Sequence, residues 1–445
     1  MNSDVAARLI AAGMSQGEAW KKSDLFAKAE RELSATGGGE AMCWFVPGRI
    51  EVLGKHTDYA GGRSLLCTAE RGFCVAAIPR NDPLVRINDV VRRQAFEFTI
   101  SAVLLVPQSS WRGYAAVVAR RLALNFPHQW RGADIAMASD LPSAAGMSSS
   151  SALVVAMYVV LSAVNRLDEC EEYRANIITA EDLAGYLGCI ENGQTFKLLR
   201  GDAGVGTFGG SEDHTAILCS EPGRLKQYSF SPVRLERTVR LPNNCTFIIG
   251  VSGVVADKKG SAMGRYNRAS QGIRSILELW RTRSGSNAMT LAEAAASSAD
   301  STDSIRAALR EATSKNADFA WLLDRFEQFW KESEEIIPRA SDALVRNDLE
   351  CFGQLVNESQ VAAESLLRNQ VPETTWLAKE ASSLGAYAAS AFGAGFGGSV
   401  WALVPTAKAA QFVHRWQRAY ERSSFDAAAQ SEFFVTDAGP ALIRW

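Results

Sequence analysis

Histidine is scarce in this chain. There are four in 445 residues, at His56, His128, His214 and His414, too scattered to argue for a zinc site. The eight cysteines (Cys43, Cys67, Cys74, Cys170, Cys189, Cys219, Cys245 and Cys351) form no CxxC pair or ligand-like cluster. Most lie in apolar contexts such as FCVAAI (73–78), so buried, reduced thiols of a cytoplasmic protein are expected. Neither sign of charge dominates: 47 Lys and Arg stand against 49 Asp and Glu, for a net charge of −2. With no basic block either, nothing points to nucleic acid. Long apolar runs are missing as well. The longest, ALVVAMYVVLSAV (152–164), is too short to cross a bilayer and reads as a buried helix. The opening stretch MNSDVAARLIAAGMSQGEAWKKSDLF has no apolar core of signal-peptide type. No internal repeat is present, and neither a membrane nor a nucleic-acid partner is expected.

What is present is an ordinary globular composition, 47% hydrophobic and 22% charged, with length enough for two or three domains. Periodicity predicts two amphipathic helices over 3–35 with a break at 13–17 and an end at Gly37–Gly39. Strand patterns fill 42–106, a helix covers 111–124, and 133–142 alternates like a strand. The buried helix follows, then helices over 171–192 and a glycine-rich irregular stretch over 193–212. HTAILCS (214–220) and LKQYSFSP (225–232) read as a hairpin, and CTFIIGVSG (245–253) as a strand. A helical region over 261–369 is interrupted by a Ser/Asp/Gly-rich piece at 283–304, read as a mobile connection. The end is helix, glycine loop, strand, helix, strand. Strands do not alternate strictly with helices, so the class is α+β.

Three stretches stand out. GRIEVLGKHTDYAGG (48–62) runs a buried-looking strand into a turn carrying Arg49, Glu51, Lys55, His56 and Asp58. LPSAAGMSSSSALVVAMYVV (141–160) joins a strand to a helix through small residues. Such a helix start presents unpaired N–H groups and the positive end of the dipole. Gly146 lets a ligand approach the backbone, and Ser148 to Ser151 offer hydroxyls for capping, phosphate or a metal ion. FGAGFGGSV (392–400) lies between a helix and a strand. A dinucleotide fingerprint runs strand, glycines, helix, so that reading fails. GRIEVLGKHT has one residue too many between its glycines for a P-loop, and His56 stands where Ser or Thr is needed.

In order and spacing, the three stretches together resemble the GHMP kinase superfamily, and its galactokinase branch most of all. The resemblance implies a two-domain α+β fold, an N-terminal mixed β/α domain (1–220) and a C-terminal α/β domain (221–445), with the active site in the cleft between. It implies ATP and Mg²⁺ as cofactors and a small-molecule sugar as substrate, phosphorylated at the anomeric O1. Carried over position by position, Asp213 in GGSEDH is the general base, with Arg49 beside it to stabilise the transferring phosphoryl group. Lys55, His56, Asp58, Tyr266 and Gly210 are expected to face the sugar. Ala145, Gly146, Met147, Ser148, Ser149, Ser150, Ser151 and Gly395 are expected around the ATP phosphates, with Ser150 (or Ser149) and Glu191 as magnesium ligands.

This chain also departs from the family pattern. Lys55 replaces a glutamate, Glu51 an asparagine, and Glu212 and His214 flank Asp213 in place of Met and Gln. The span from Glu191 to Asp213 is longer than usual. An ammonium pairs better with a carboxylate than with a hydroxyl, which makes an acidic, uronic sugar an alternative to a galactose-like one. A catalytically idle sugar and ATP sensor is the competing class; presence of both Asp213 and the serine loop favours the enzyme.

Overall fold

The computed structural model describes residues 2–34, 39–107, 110–127, 129–256, 261–316 and 319–445. His128 and most of the glycine run expected to end the N-terminal helices lie outside them. Helices α1 (Asn2–Ala11) and α2 (Gln16–Ser34) lead into strands β1 (Met42–Leu53), β2 (Arg63–Pro79), β3 (Leu84–Asp89) and β4 (Gln94–Thr99). Then come α3 (Trp111–Asn125), β5 (Ala133–Ser139), α4 (Ser149–Asn165), α5 (Glu171–Asn176), α6 (Ala180–Asn192), α7 (Glu212–Cys219), β6 (Arg224–Ser229) and β7 (Arg234–Arg240). The remainder is β8 (Cys245–Val251), α8 (Ser261–Ser284), α9 (Leu291–Ala295), α10 (Ser301–Lys315), α11 (Ala320–Trp330), α12 (Ile337–Val345), α13 (Leu349–Ala362), α14 (Pro372–Ser383), β9 (Ala388–Ala391), β10 (Ser399–Pro405), α15 (Ala409–Glu421), β11 (Glu432–Thr436) and β12 (Ile443–Arg444).

Two sheets organise these elements. The first runs β12-β1-β2-β5-β3-β4, with the β6–β7 hairpin added to β2. The long β2 makes this possible: its first half pairs with β6 and its second half with β5. The second sheet is β11-β8-β10-β9, antiparallel throughout. The fold is therefore two-domain α+β; the chain passes from the first sheet to the second between Arg240 and Cys245, and β12 returns to pair with β1.

Burial follows the sequence patterns. α1 and α2 cover one face of the first sheet through Leu9, Phe26 and Leu33 against Phe45, Cys74 and Ala136. α4 is apolar around most of its circumference and lies inside the main core with α3 and α6 on the opposite face. α15 places Phe412, Trp416 and Tyr420 four residues apart on one face, against the second sheet. No helix among the described residues is long and apolar enough to cross a membrane, and all eight cysteines are free.

Two expectations are corrected. HTAILCS is not a hairpin strand: 212–219 is α7, packed on α6, α4 and β1, and the hairpin is β6–β7. A short apolar run of this length has no periodicity to separate strand from helix. The 283–304 piece is not an unstructured connection. Thr290 caps α9, accepting from the Glu293 N–H at 3.2 Å, and Leu291 and Ala294 are buried in a helical cluster with Ala60 of the charged turn.

Candidate active site

β1 is buried on both faces beyond Met42, which is why GRIEVL reads as an apolar run broken only by Arg49 and Glu51. Its pairing with β2 slips between Pro47 and Arg49, a bulge that re-aims the following side chain. The Arg49 N–H donates to Met147 O at 3.2 Å, tying this strand to the serine-rich loop. The guanidinium reaches the first turn of α7, with Nε and Nη2 both 2.7 Å from Asp213 Oδ1. Glu51 Oε2 lies 3.4 Å and Glu212 Oε1 3.6 Å from the same group. Burial works against the charge on Arg49, yet Asp213, Glu51 and Glu212 raise its pKa.

Asp213 faces α4 as well. Ser151 Oγ lies 2.9 Å from Glu191 Oε2 and 3.2 Å from Asp213 Oδ2, and His214 Nε2 is 3.4 Å from Glu191. One serine thus joins the last turn of α6 to the first turn of α7. Glu212 is buried and accepts from Ser64 Oγ at 2.7 Å. Burial, then the charge of Glu51, pushes its pKa well up.

The charged turn sits over these groups. His56 takes a left-handed φ of 58°, and its Nδ1 is 2.8 Å from Tyr59 Oη. Asp58 accepts from the Tyr59 N–H at 2.8 Å and from the Glu212 N–H at 3.2 Å. It therefore binds the start of α7, a favourable place for a carboxylate. Burial still raises its pKa to about 6. Gly210 is required beneath it, because a Cβ there would lie 2.4 Å from Asp58 Oδ2. Tyr266 of α8 closes the far side, its ring 5.1 Å from that of His56. His56, Asp58, Tyr266, Gly210, Glu191 and Asp213 all line one small cavity of about 40 Å³. That volume holds water and is small for a sugar ring.

A second cavity of about 610 Å³ opens alongside, and the two share Arg49, Asp213 and Ala394. Gly146, Ser148, Ser149 and Ser150 form its floor at the start of α4. Phe73, Trp111, Tyr114 and Met137 supply apolar wall, and Arg92 and Arg112 supply charge. Gly146 and Ser148 are left-handed, at φ 75° and 61°, and Ser148 Oγ is buried with no hydrogen-bond partner among the described residues. The helix start, the bare hydroxyl and the flat apolar wall suit a phosphorylated aromatic ligand.

Several expected positions differ. Lys55 does not face either cavity. It is 1% exposed, and its Nζ donates to Ser359 Oγ at 2.9 Å and Ser390 Oγ at 2.8 Å. Ser151, not Ser150, is the hydroxyl on Glu191, while Ser150 lines the larger cavity. Ala145 and Met147 act through their carbonyls, which accept from Ser399 Oγ and the Arg49 N–H. Gly395 packs against Asn369, and the loop residues at the cavities are Gly393 and Ala394. The aromatic wall of the larger cavity was missed, since Trp111 and Tyr114 lie on an ordinary amphipathic helix with no motif around them.

Three family models match the chain. Residues 34–79 match the galactokinase galactose-binding signature, 113–191 the GHMP kinases N terminal domain and 340–422 the GHMP kinases C terminal domain. The chain is 27% identical over 381 residues to a galactokinase of Roseiflexus sp. (strain RS-1), covering 84% of this chain and 86% of the relative. It is 28% identical over 380 residues to a galactokinase of Chloroflexus aggregans, covering 82% and 85%. In three dimensions it is similar to Lactococcus lactis galactokinase complexed with galactose, with a TM-score of 0.75 at 22% identity, over 94% of this chain and 99% of the other. Methanococcus jannaschii mevalonate kinase is more distant, with a TM-score of 0.54 at 12% identity over 90% and 99%.

Proposed function

We propose that this chain, with its matches to the GHMP kinase and galactokinase family models, transfers the γ-phosphoryl group of Mg-ATP to the anomeric O1 of a galactose-like sugar. The observation that carries this reading is the placement of Arg49 and Asp213 where the two cavities meet. ATP occupies the larger one, with its phosphates on the α4 N-terminus and Ser148 to Ser150. The sugar occupies the smaller one once opened, its hydroxyls held by Asp58, His56 and Tyr266. Asp213 accepts the proton of the attacking hydroxyl. Arg49 holds Asp213 ionised and faces the charge that develops on the phosphoryl oxygens.

The residues fit a magnesium ion. Glu191 Oε2 and Ser151 Oγ, 2.9 Å apart, are a carboxylate and a hydroxyl beside the phosphate floor, with Ser150 adjacent. All-oxygen ligation by few protein groups, completed by phosphates and waters, is the usual Mg²⁺ arrangement. When bound, it neutralises phosphate charge. A reducing, cytoplasmic setting goes with eight free thiols.

Electrostatics separates the two sugar classes. The small cavity is lined by Glu51, Asp58, Glu191, Glu212 and Asp213, with Arg49 as the one Lys or Arg among its described lining residues. A uronate would enter an acidic surround, and Lys55, the proposed cation for it, is turned away. A neutral hexose is therefore the substrate this reading favours. The test is ADP release with Mg-ATP across galactose, glucose, N-acetylated hexosamines, arabinose, galacturonate and glucuronate, with the product identified by ³¹P NMR. Turnover of galactose to a 1-phosphate is expected. Preferred turnover of a uronate would overturn the electrostatic argument, and ATP binding with no turnover on any sugar would leave a sensor.

A further inference from the structure

We infer that a buried polar stripe on one helix, Arg325, Gln328 and Glu332, together with Lys55, is a positioning device that sets the sugar-binding turn. The inference rests on the sugar reading of the 54–60 turn. Residues 325, 328 and 332 are spaced three and four apart, so they share one helix face. A polar face ordinarily meets water, but these three side chains are 1%, 1% and 0% exposed. Their partners are the backbone of the turn. Glu332 Oε1 accepts from the Gly54 N–H at 2.9 Å and the Lys55 N–H at 3.4 Å. Gln328 Nε2 donates to Lys55 O at 3.0 Å, and Arg325 Nη2 donates to His56 O and to Tyr59 Oη. Three consecutive residues, Gly54 to His56, are thus held by a segment some 270 positions away in sequence.

Lys55 locks the arrangement from beneath. Its ammonium donates to Ser359 Oγ, and that hydroxyl donates onward to Glu332 Oε1 at 3.0 Å. Ser390 Oγ, its second acceptor, donates to Gln360 Oε1 at 3.0 Å. A buried ammonium and a buried carboxylate are therefore joined through one serine, each compensating the other. The helix widens into a π turn at Lys331–Ile336, an irregularity common at functional sites. None of the stripe residues or Lys55 lines the small cavity, so they act on the sugar through His56, Asp58 and Tyr59.

The test compares Lys55→Met, Glu332→Leu, Glu332→Gln and the charge-neutral double variant Lys55→Met/Glu332→Gln. KM for galactose, KM for ATP and amide hydrogen exchange over 54–62 are measured for each. Lys55→Met and Glu332→Leu are expected to raise the galactose KM about tenfold, leave the ATP KM unchanged and speed exchange over 54–62. The double variant, which keeps an acceptor at 332 and removes both charges, is expected to recover most of both. Should Lys55→Met not fold, Gln328→Leu carries the same test through its one bond to Lys55 O. A lowered melting temperature with wild-type galactose KM and wild-type exchange over 54–62 would make the stripe merely structural and overturn the inference. If the wild-type chain turned over no sugar, the kinase reading would fall, and the exchange data would still decide whether the stripe holds the turn.

Discussion

Arg49 and Asp213 form one ion pair, yet removing either partner should have very unequal consequences for stability. Arg49 is 4% exposed and faces Asp213 at 2.7 Å, Glu51 at 3.4 Å and Glu212 at 3.6 Å. Arg49→Met leaves buried Glu51 and Glu212, and the partly exposed Asp213, without their shared cation. Breaking a buried pair in this way costs about 3–5 kcal/mol. At roughly 2–4 °C per kcal/mol for a domain of 150–250 residues, the melting temperature falls by many degrees. Asp213→Asn leaves Arg49 with Glu51 and Glu212 and lowers the local negative charge, so its cost should stay below about 1 kcal/mol. The pH dependence separates them further. Without Arg49, Glu212, whose pKa burial and Glu51 already push well up, loses the positive charge that pulls it back down. The folded state then binds more protons, so the deficit of Arg49→Met should be smallest in acid and grow as pH rises through the carboxylate range. Activity should not distinguish the two variants, since loss of a general base or of transition-state charge stabilisation each costs about 10²–10⁴-fold in kcat. Calorimetry from pH 4 to 8 beside an ADP-release assay reads both quantities. Equal destabilisation by the two substitutions, or a deficit in Arg49→Met that does not change with pH, would refute the charge accounting.

Lys55→Glu should destabilise the fold without creating a new sugar preference, because it sets a carboxylate beside buried Glu332; a folded variant with a switched sugar profile would place residue 55 at the substrate. Gly210→Ala should weaken galactose binding about tenfold or more, since its Cβ would crowd Asp58 Oδ2 at 2.4 Å; isothermal titration with ATP should meanwhile be unchanged. Asp58 titrates near 6 when folded against an ordinary value of 3.8, so it favours folding in acid and that contribution is lost as pH rises through about 6. Sugar affinity runs the other way, falling below about pH 6 as the carboxylate is protonated, and Asp58→Asn should erase that step in the pH profile of kcat/KM. Ser151→Ala should raise the magnesium concentration for half-maximal rate more than Ser150→Ala, the order that the 2.9 Å contact to Glu191 implies.

The sequence by itself determined the local pieces: strand GRIEVL, the serine loop opening α4, and the third glycine loop, which the fold sets between β9 and β10. It also determined their order, and with it the resemblance to a family of kinases and the likeness of Asp213 and Arg49 to a base and its partner. These are properties of neighbouring residues, carried by periodicity, small residues at turns and fixed spacings. Tertiary structure decided the direction of each side chain. Lys55 sits in a motif whose neighbours His56 and Asp58 reach the small cavity, yet the left-handed turn at His56 and acceptors on α13 and β9 draw its ammonium the other way. Ser150 and Ser151 are indistinguishable in a run of serines, and one helical step of about 100° puts the second on Glu191. HTAILC became a helix because α4, α6 and β1 offered it a groove. The stripe Arg325, Gln328 and Glu332 looks like a solvated helix face until its partners, far away in the chain, are placed against it. Hydrogen bonds between residues hundreds of positions apart leave no local pattern, and they are what hold the site together.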